Sequence, residues 1–252
     1  MRGITFKDIK KVGNIVLENN LFTHVHYPEM LIMYDSNFIE FKKMPGISEL
    51  KDTEKYLRDF HLKRGQNHLK FYFPENEKLS EEVRIYLTET GYESGFLELY
   101  AIRPNCFPKV NNNQDIEIKA VNNQNVENFL QLQYNQDLQY GSEFARQKID
   151  FSKREFDDPA IVQILAFYQE VSAGYAIVNV STETVEIDGL NVDASYRNKG
   201  IGSRLQQFVM ESFPDKIVIL VADGEDTPRE MYKKQNYQYQ GFQYEALKVF
   251  ED

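Results

Sequence analysis

The chain has 252 residues, enough for one large or two small domains. Its 39 acidic residues outweigh 29 basic ones, for a formal net charge of -10, which argues against nonspecific nucleic-acid binding, because that requires Lys and Arg to neutralise phosphates. No apolar run approaches the ~20 residues of a membrane span and the charged start leaves no signal-peptide segment, so a cytoplasmic protein without membrane association is expected.

In chain order, residues 7–20 read as helical. Met30 to Met44 reads as a hairpin turning at Asp35-Ser36-Asn37, and Leu50 to Arg64 as a helix. Leu69 to Phe73 reads as a strand, Leu79 to Thr90 as a helix and Phe96 to Ile102 as a strand. Two prolines and Asn111-Asn112-Asn113 punctuate residues 104–114. A domain boundary is expected there, dividing 1–108 from 109–252. The single cysteine, Cys106, lies in this connector; it cannot form an internal disulfide and has no base partner in the sequence pattern to mark it as a nucleophile.

The second half opens on the alternating strand Ile116-Glu117-Ile118-Lys119. A helical region follows, with Val126, Phe129 and Leu130 at core spacing. Residues 162–168 and 173–180 form a hairpin with its turn near Glu170, and Thr184 to Val192 is the next strand. Leu205, Phe208, Val209 and Phe213 mark an amphipathic helix. Lys216 to Val221 is a β-branched strand. Thr227 is expected to cap a short helix begun by Pro228 and running to about Gln235, and Tyr239 to Phe250 is a last strand or strand pair. The order indicates an α/β (α+β) fold with one central sheet.

The halves share a plan. Ile85-Tyr86-Leu87-Thr88-Glu89-Thr90-Gly91-Tyr92 compares with Met231-Tyr232-Lys233-Lys234-Gln235-Asn236-Tyr237, and Gly-Phe follows each, at Gly95 and Gly241. With the matching element order, this points to a tandem duplication.

Between the strand ending at Val192 and the following helix lies Arg197-Asn198-Lys199-Gly200-Ile201-Gly202-Ser203. Two glycines let the backbone bend and approach a ligand closely. A loop that empties into a helix N-terminus presents free N–H groups and the positive end of the dipole to an anion. Arg197 and Lys199 add positive charge. The segment is not a Walker loop, because no Lys follows Gly202. It is not a dinucleotide fingerprint either, because position 205 is Leu205 rather than glycine.

With its strand before and helix after, the segment resembles the acyl-CoA pyrophosphate loop of the GNAT N-acetyltransferase superfamily, Gln/Arg-x-x-Gly-x-Gly/Ala. Residues 115–250 resemble that family as a whole. Glu186-Ile187-Asp188-Gly189-Leu190-Asn191-Val192 is similar to its fourth strand, and Met231-Tyr232-Lys233-Lys234 to its last helix. The N-terminal half resembles a degenerate GNAT-like copy lacking the loop: it has no Gly-x-Gly, and Leu87 stands where the other half has Tyr232, with Tyr86 one place off.

The resemblance implies tandem GNAT-like domains, each a mixed, mostly antiparallel sheet flanked by helices. It implies acetyl-CoA as co-substrate, its pantetheine arm pairing near Leu190, Asn191 and Val192 and its pyrophosphate held by Arg197 to Ser203. It implies direct attack of a primary amine, of a small molecule or peptide, on the thioester in a ternary complex. The amine must lose a proton to a base or a water relay.

No histidine or cysteine follows residue 114, so carboxylates and tyrosines remain. Glu186 occupies the position of the general base in some family members, and Asp188, two residues on and expected on the same strand face, is a substitute. Tyr232 matches the family's acid for the CoA thiolate. One departure is Glu225, where the family often has Asn. The rival reading is a non-catalytic acyl-CoA-binding or regulatory module. Tyr134, Tyr140 and Phe144 are candidates to line an acceptor cleft, against ordinary packing. His24 and His26 share a strand face, but no third ligand stands at metal spacing, and no metal is expected. The oligomeric state and the acceptor are left open.

Overall fold

The computed structural model describes residues 3–225 and 228–250. Contacts divide it into two units, and the chain interleaves between them. One holds residues 5–99 with the described parts of 222–229 and 239–250; the other holds residues 3–4, 100–221 and 230–238.

In the first unit, strands β1 (Asn14–Glu18), β2 (Phe22–His26) and β3 (Phe38–Phe41) precede helix α1 (Ile47–Leu62), strand β4 (His68–Tyr72), helix α2 (Glu81–Glu89) and strand β5 (Glu93–Ile102). The last strand of the chain, β11 (Gln238–Val249), returns to this unit, and the strand order is β1-β2-β3-β4-β11-β5. Strand β11 runs antiparallel to β4, from Glu245 opposite Tyr72 to Val249 opposite His68. Leu50, Thr53, Leu57 and His61 are buried along one face of α1, the 3.6-residue pattern of a core helix. Of these, Leu50 and Leu57 close over Phe22, Phe41, Phe71 and Phe73. The Ser80 hydroxyl accepts from the Val83 amide to start α2, which buries Val83 and Leu87.

Two expectations for this half are corrected. Residues 7–20 are not a helix: the described chain there is one short 3-10 turn, Phe6–Asp8, followed by β1. Gly13 breaks the periodic run, because it adopts φ 121° and an added Cβ would meet Val25 Cγ1 at 2.8 Å. The expected hairpin over 30–44 is instead a folded loop leading into β3. The Asn37 side chain holds that loop, donating to the carbonyls of Met30 and Met33 and accepting from the Tyr27 amide. Strand β3 then pairs with β2 and, in parallel, with β4.

The second unit contains strand β6 (Ile116–Ala120), helices α3 (Val126–Asp137) and α4 (Ser142–Phe156), strands β7 (Ile161–Tyr168), β8 (Val171–Val180) and β9 (Thr184–Val192), helix α5 (Ile201–Ser212), strand β10 (Ile217–Asp223) and helix α6 (Pro228–Lys234). The order β10-β9-β8-β7-β6 is antiparallel throughout except for the parallel pair β9 and β10. Gln169 and Glu170, both at positive φ, make the two-residue turn of the β7–β8 hairpin, the geometry that matches strand twist. Side chains alternate across β8. Tyr175 packs edge-on against Phe129 of α3 at 5.4 Å, whereas a Cβ on Gly174 would meet Ile201 of α5. The two helices thus cover opposite faces of the strand. The Thr227 cap lies outside the described residues. The last segment is one continuous strand, not a pair.

Candidate active site

Strands β9 and β10 pair from Thr184 with Ile217 to Glu186 with Ile219. Beyond that point β9 continues to Val192 and β10 to Asp223 with no further registered pair among the described residues. The backbone edge of β9 over Leu190, Asn191 and Val192 is therefore presented along one side. Its other side stays bonded to β8, Gly174 opposite Val192 and Ala176 opposite Leu190. A bulge falls where Ile177 faces Gly189 and Val178 faces Ile187, leaving Asp188 as the extra residue.

The bulge corrects the expectation that Glu186 and Asp188 share a face. An inserted residue breaks the two-residue alternation. Glu186 is 4% exposed and accepts a hydrogen bond from Asn179 Nδ2 at 3.3 Å. Asp188 is exposed. Because Asn179 follows Tyr175 and Ile177 on alternate positions of β8, Glu186 and its partner belong to the α3 face of the sheet.

After Val192, the Asp193 carboxylate accepts from the Ser195 amide and starts a single 3-10 turn, Ala194–Tyr196. Arg197 Nε donates back to the Val192 carbonyl at 3.3 Å. Asn198 and Gly200 adopt φ of 62° and 89°, so left-handed residues flank Lys199 and fold the loop into a concave nest of amides. The first closing bond of α5 runs from Arg204 N to Gly200 O, which places the N–H groups of Ile201, Gly202 and Ser203 ahead of the helical ladder. A Cβ on Gly202 would lie 3.6 Å from Leu190 Cδ2 and 3.8 Å from Val192 Cγ2, so the helix start stands directly on the free end of β9. The Lys199 ammonium sits over the Tyr168 ring at 4.9 Å.

Tyr232 is half-buried on α6, its ring 5.3 Å from that of Tyr100 and 5.4 Å from that of Tyr237. The Tyr237 hydroxyl donates to Gln206 Oε1 of α5 at 2.9 Å; burial first, and then Tyr232, pushes the Tyr237 phenol well up. A hydrogen-bonded link thus ties the helix of Tyr232 to the helix of the loop. The sequence reading missed Tyr237, Gln206 and Asn179: they position other side chains, and that role depends on tertiary contacts that no local spacing reveals. Gly174, by contrast, stood visible as a glycine inside a strand, a sign of close backbone approach.

Outside this arrangement, Leu87 is fully buried in its unit and the Tyr86 hydroxyl bonds to Glu54. Cys106 is exposed. The rings of Tyr140 and Phe144 pack at 5.4 Å. The four histidines gather in the first unit, His24 6.3 Å from His61 and His61 4.6 Å from His68, with Phe60 against both His24 and His26. Among the described residues, no group of three His, Cys, Asp or Glu side chains could hold a metal ion.

Residues 124–237 match the profile of the acetyltransferase (GNAT) family. Over these residues the chain carries a GNAT-family domain. Residues 4–100 match a domain of unknown function, DUF5613. The described fold is similar to that of a functionally unknown conserved protein from Staphylococcus epidermidis, at 31% identity and TM-score 0.91, with 98% of each chain covered. It is similar to a GCN5-related N-acetyltransferase from Kribbella flavida at 13% identity and TM-score 0.63, covering 95% of this chain and 90% of that one. It also resembles a tandem GNAT protein from the clavulanic acid biosynthesis pathway, at 10% identity and TM-score 0.54, covering 85% and 76%. No curated protein matches by sequence. The mixed α/β fold, with its mostly antiparallel sheet flanked by helices, is shared with these neighbours. Among the described residues no helix is long and apolar enough to cross a membrane.

Proposed function

We propose that this GNAT protein is a cytoplasmic, acetyl-CoA-dependent N-acetyltransferase that acetylates a primary amine of a small molecule or peptide in a ternary complex. The observation that carries this reading is the nest of amides at Asn198 to Ser203, seated on the free end of β9. Such a nest, at the positive end of a helix dipole, suits a pyrophosphate. Arg197 and Lys199 contribute charge, and the exposed edge of Leu190, Asn191 and Val192 offers backbone groups to an extended pantetheine amide. Bound acetyl-CoA supplies a thioester carbonyl for the amine to attack.

Glu186 takes the amine's proton, directly or through water, with Asp188 the alternative at the bulge. Asn179 orients Glu186. Tyr232 protonates the departing thiolate. The duplication proposed from the sequence assigns residues 1–108 to the copy without a CoA loop and residues 109–252 to the catalytic copy; β11, on this view, is the catalytic copy's last strand in sequence and packs in the other unit.

Thiol release from acetyl-CoA across amines, amino acids, polyamines and peptides tests the proposal, together with calorimetric binding of acetyl-CoA. Turnover with at least one amine is expected. Tight acetyl-CoA binding with no thiol release across the panel would establish the non-catalytic module instead, and absence of binding would overturn both.

A further inference from the structure

The C-terminal end of α3 carries a carboxylate in an unfavourable place. Asp137 is the last residue of that helix, where the dipole presents its negative end. It is 8% exposed, and its Oδ2 is buried with no hydrogen-bond partner. Although Asp is a good capping residue, its side chain does not cap the turn it leads into, Leu138–Tyr140. One helical turn earlier, Gln133 is 1% exposed, and its Oε1 is likewise buried and unpartnered. At this spacing the two side chains lie on one face of α3.

Both atoms are acceptors. Buried acceptors without donors are costly, and a buried carboxylate without a close cation more so. Lys148 acts electrostatically on Asp137, but its ammonium is placed over the Phe151 ring at 4.4 Å. Burial raises the Asp137 carboxyl above the ordinary range. The Tyr175 phenol is pushed up by burial and then by Asp137 and Tyr140, which marks these three groups as neighbours. Tyr140 itself is 67% exposed, so the cluster reaches the surface at the turn between α3 and α4.

What the cluster lacks is a positive charge that carries N–H donors, and its tyrosines add aromatic faces that suit a cation. We propose that Asp137 and Gln133, with Tyr140 and Tyr175, bind a second ammonium group of the acceptor, so that the protein selects extended diamines and polyamines over monoamines. This rests on the acetyltransferase reading and names its substrate class. The placement fits that site. Tyr175 lies opposite Asn191 of β9 and shares its face of β8 with Asn179, the partner of Glu186. Four strand residues separate Tyr175 from Asn179, about 13 Å, so the acceptor's two nitrogens are expected on the order of 10 Å apart.

The test measures acetylation of a homologous series, from ethylenediamine to 1,8-diaminooctane, beside spermidine and octylamine. Calorimetry of 1,8-diaminooctane and of octylamine, without acetyl-CoA, reads acceptor binding independently of turnover. Expected are a preference for the long diamines over octylamine of about tenfold or more, and its loss in Asp137→Asn through a raised KM. Acetyl-CoA affinity, measured alongside, reports whether the variant is folded. Should Asp137→Asn fail to fold, Tyr140→Ala, at an exposed position, is expected to raise the diamine KM. Equal binding of diamine and monoamine by the wild-type protein, or a preference that survives Asp137→Asn or, if that variant does not fold, Tyr140→Ala, overturns the inference. Absence of turnover with diamine binding still dependent on Asp137 instead overturns the enzymatic reading and leaves a diamine site.

Discussion

At the residue scale, Glu186 and Asp188 differ in environment although the sequence presents them as equals. The bulge at Asp188 depends on how β8 and β9 register, a property of the pair of strands that one strand's spacing does not contain. The course of the loop was legible because its signals are local: glycine spacing and an adjacent helix suffice. The environments divide the expected effects. Glu186→Gln removes a buried carboxylate bonded to Asn179 and should lower kcat by about 10²-fold or more. Asp188→Asn, at an exposed bulge, should change it far less. Steady-state kinetics on both variants decides; the opposite order would make Asp188 the base. For Tyr232→Phe, removal of the hydroxyl should depress kcat by a similar factor at high pH as well as neutral. Undiminished turnover would reduce Tyr232 to a packing role beside Tyr100 and Tyr237.

At the element scale, the loop from Arg197 to Ser203 depends on a strand that it does not touch in sequence. Strand β8 passes beneath the start of α5 at Gly174, where an added Cβ would stand 2.8 Å from Asn191 O and 3.2 Å from Ile201 Cγ2. The carbonyl is backbone on β9 and cannot rotate away, so either the strand pair or the helix start must move. Gly174→Ala is expected to cost about 1–3 kcal/mol of stability, as overpacking does, and to weaken acetyl-CoA binding more than Gly202→Ala, whose Cβ would meet ordinary contacts at 3.6 Å and 3.8 Å. Thermal melts and calorimetry on the two variants give the comparison, and equal effects would refute the coupling. Most helices and strands of the second unit were readable from periodicity. Residues 7–20 were not, because their apolar spacing suits a helix and Gly13 alone, at φ 121°, forces the chain into an edge strand.

At the scale of the whole molecule, the linear boundary expected near residue 108 does not describe how the units are built. Strand β11 pairs with β4, a contact between residues far apart in sequence, and long-range pairing leaves no local signature. A fragment of residues 1–108 therefore lacks a strand of its own sheet and should not fold, whereas adding residues 239–252 as a separate peptide should restore far-UV circular dichroism. A cooperatively folded 1–108 fragment would refute this. The same unit contains every histidine of the chain, and their burial sets a dependence on pH. Burial first, then the neighbouring histidines and Arg64, lowers His24 to about 3; burial foremost lowers His61 and His68 to about 4. An unfolded chain binds these protons near pH 6.5, the folded unit only near 3 to 4, so the unfolded state gains protons as pH falls between those limits. The stability is complete above about pH 6.5 and is lost below it, at roughly 1.4 kcal/mol per pH unit for each histidine until its own folded value is reached. The first unit should therefore unfold in mild acid while the second, with no histidine after residue 114, keeps its fold. Hydrogen exchange followed from pH 7 to pH 4 resolves the two. His24→Phe, which retains a ring in the same aromatic surroundings, should flatten the slope for the first unit. Retention of the full wild-type slope in that variant would show that the histidines do not govern acid stability.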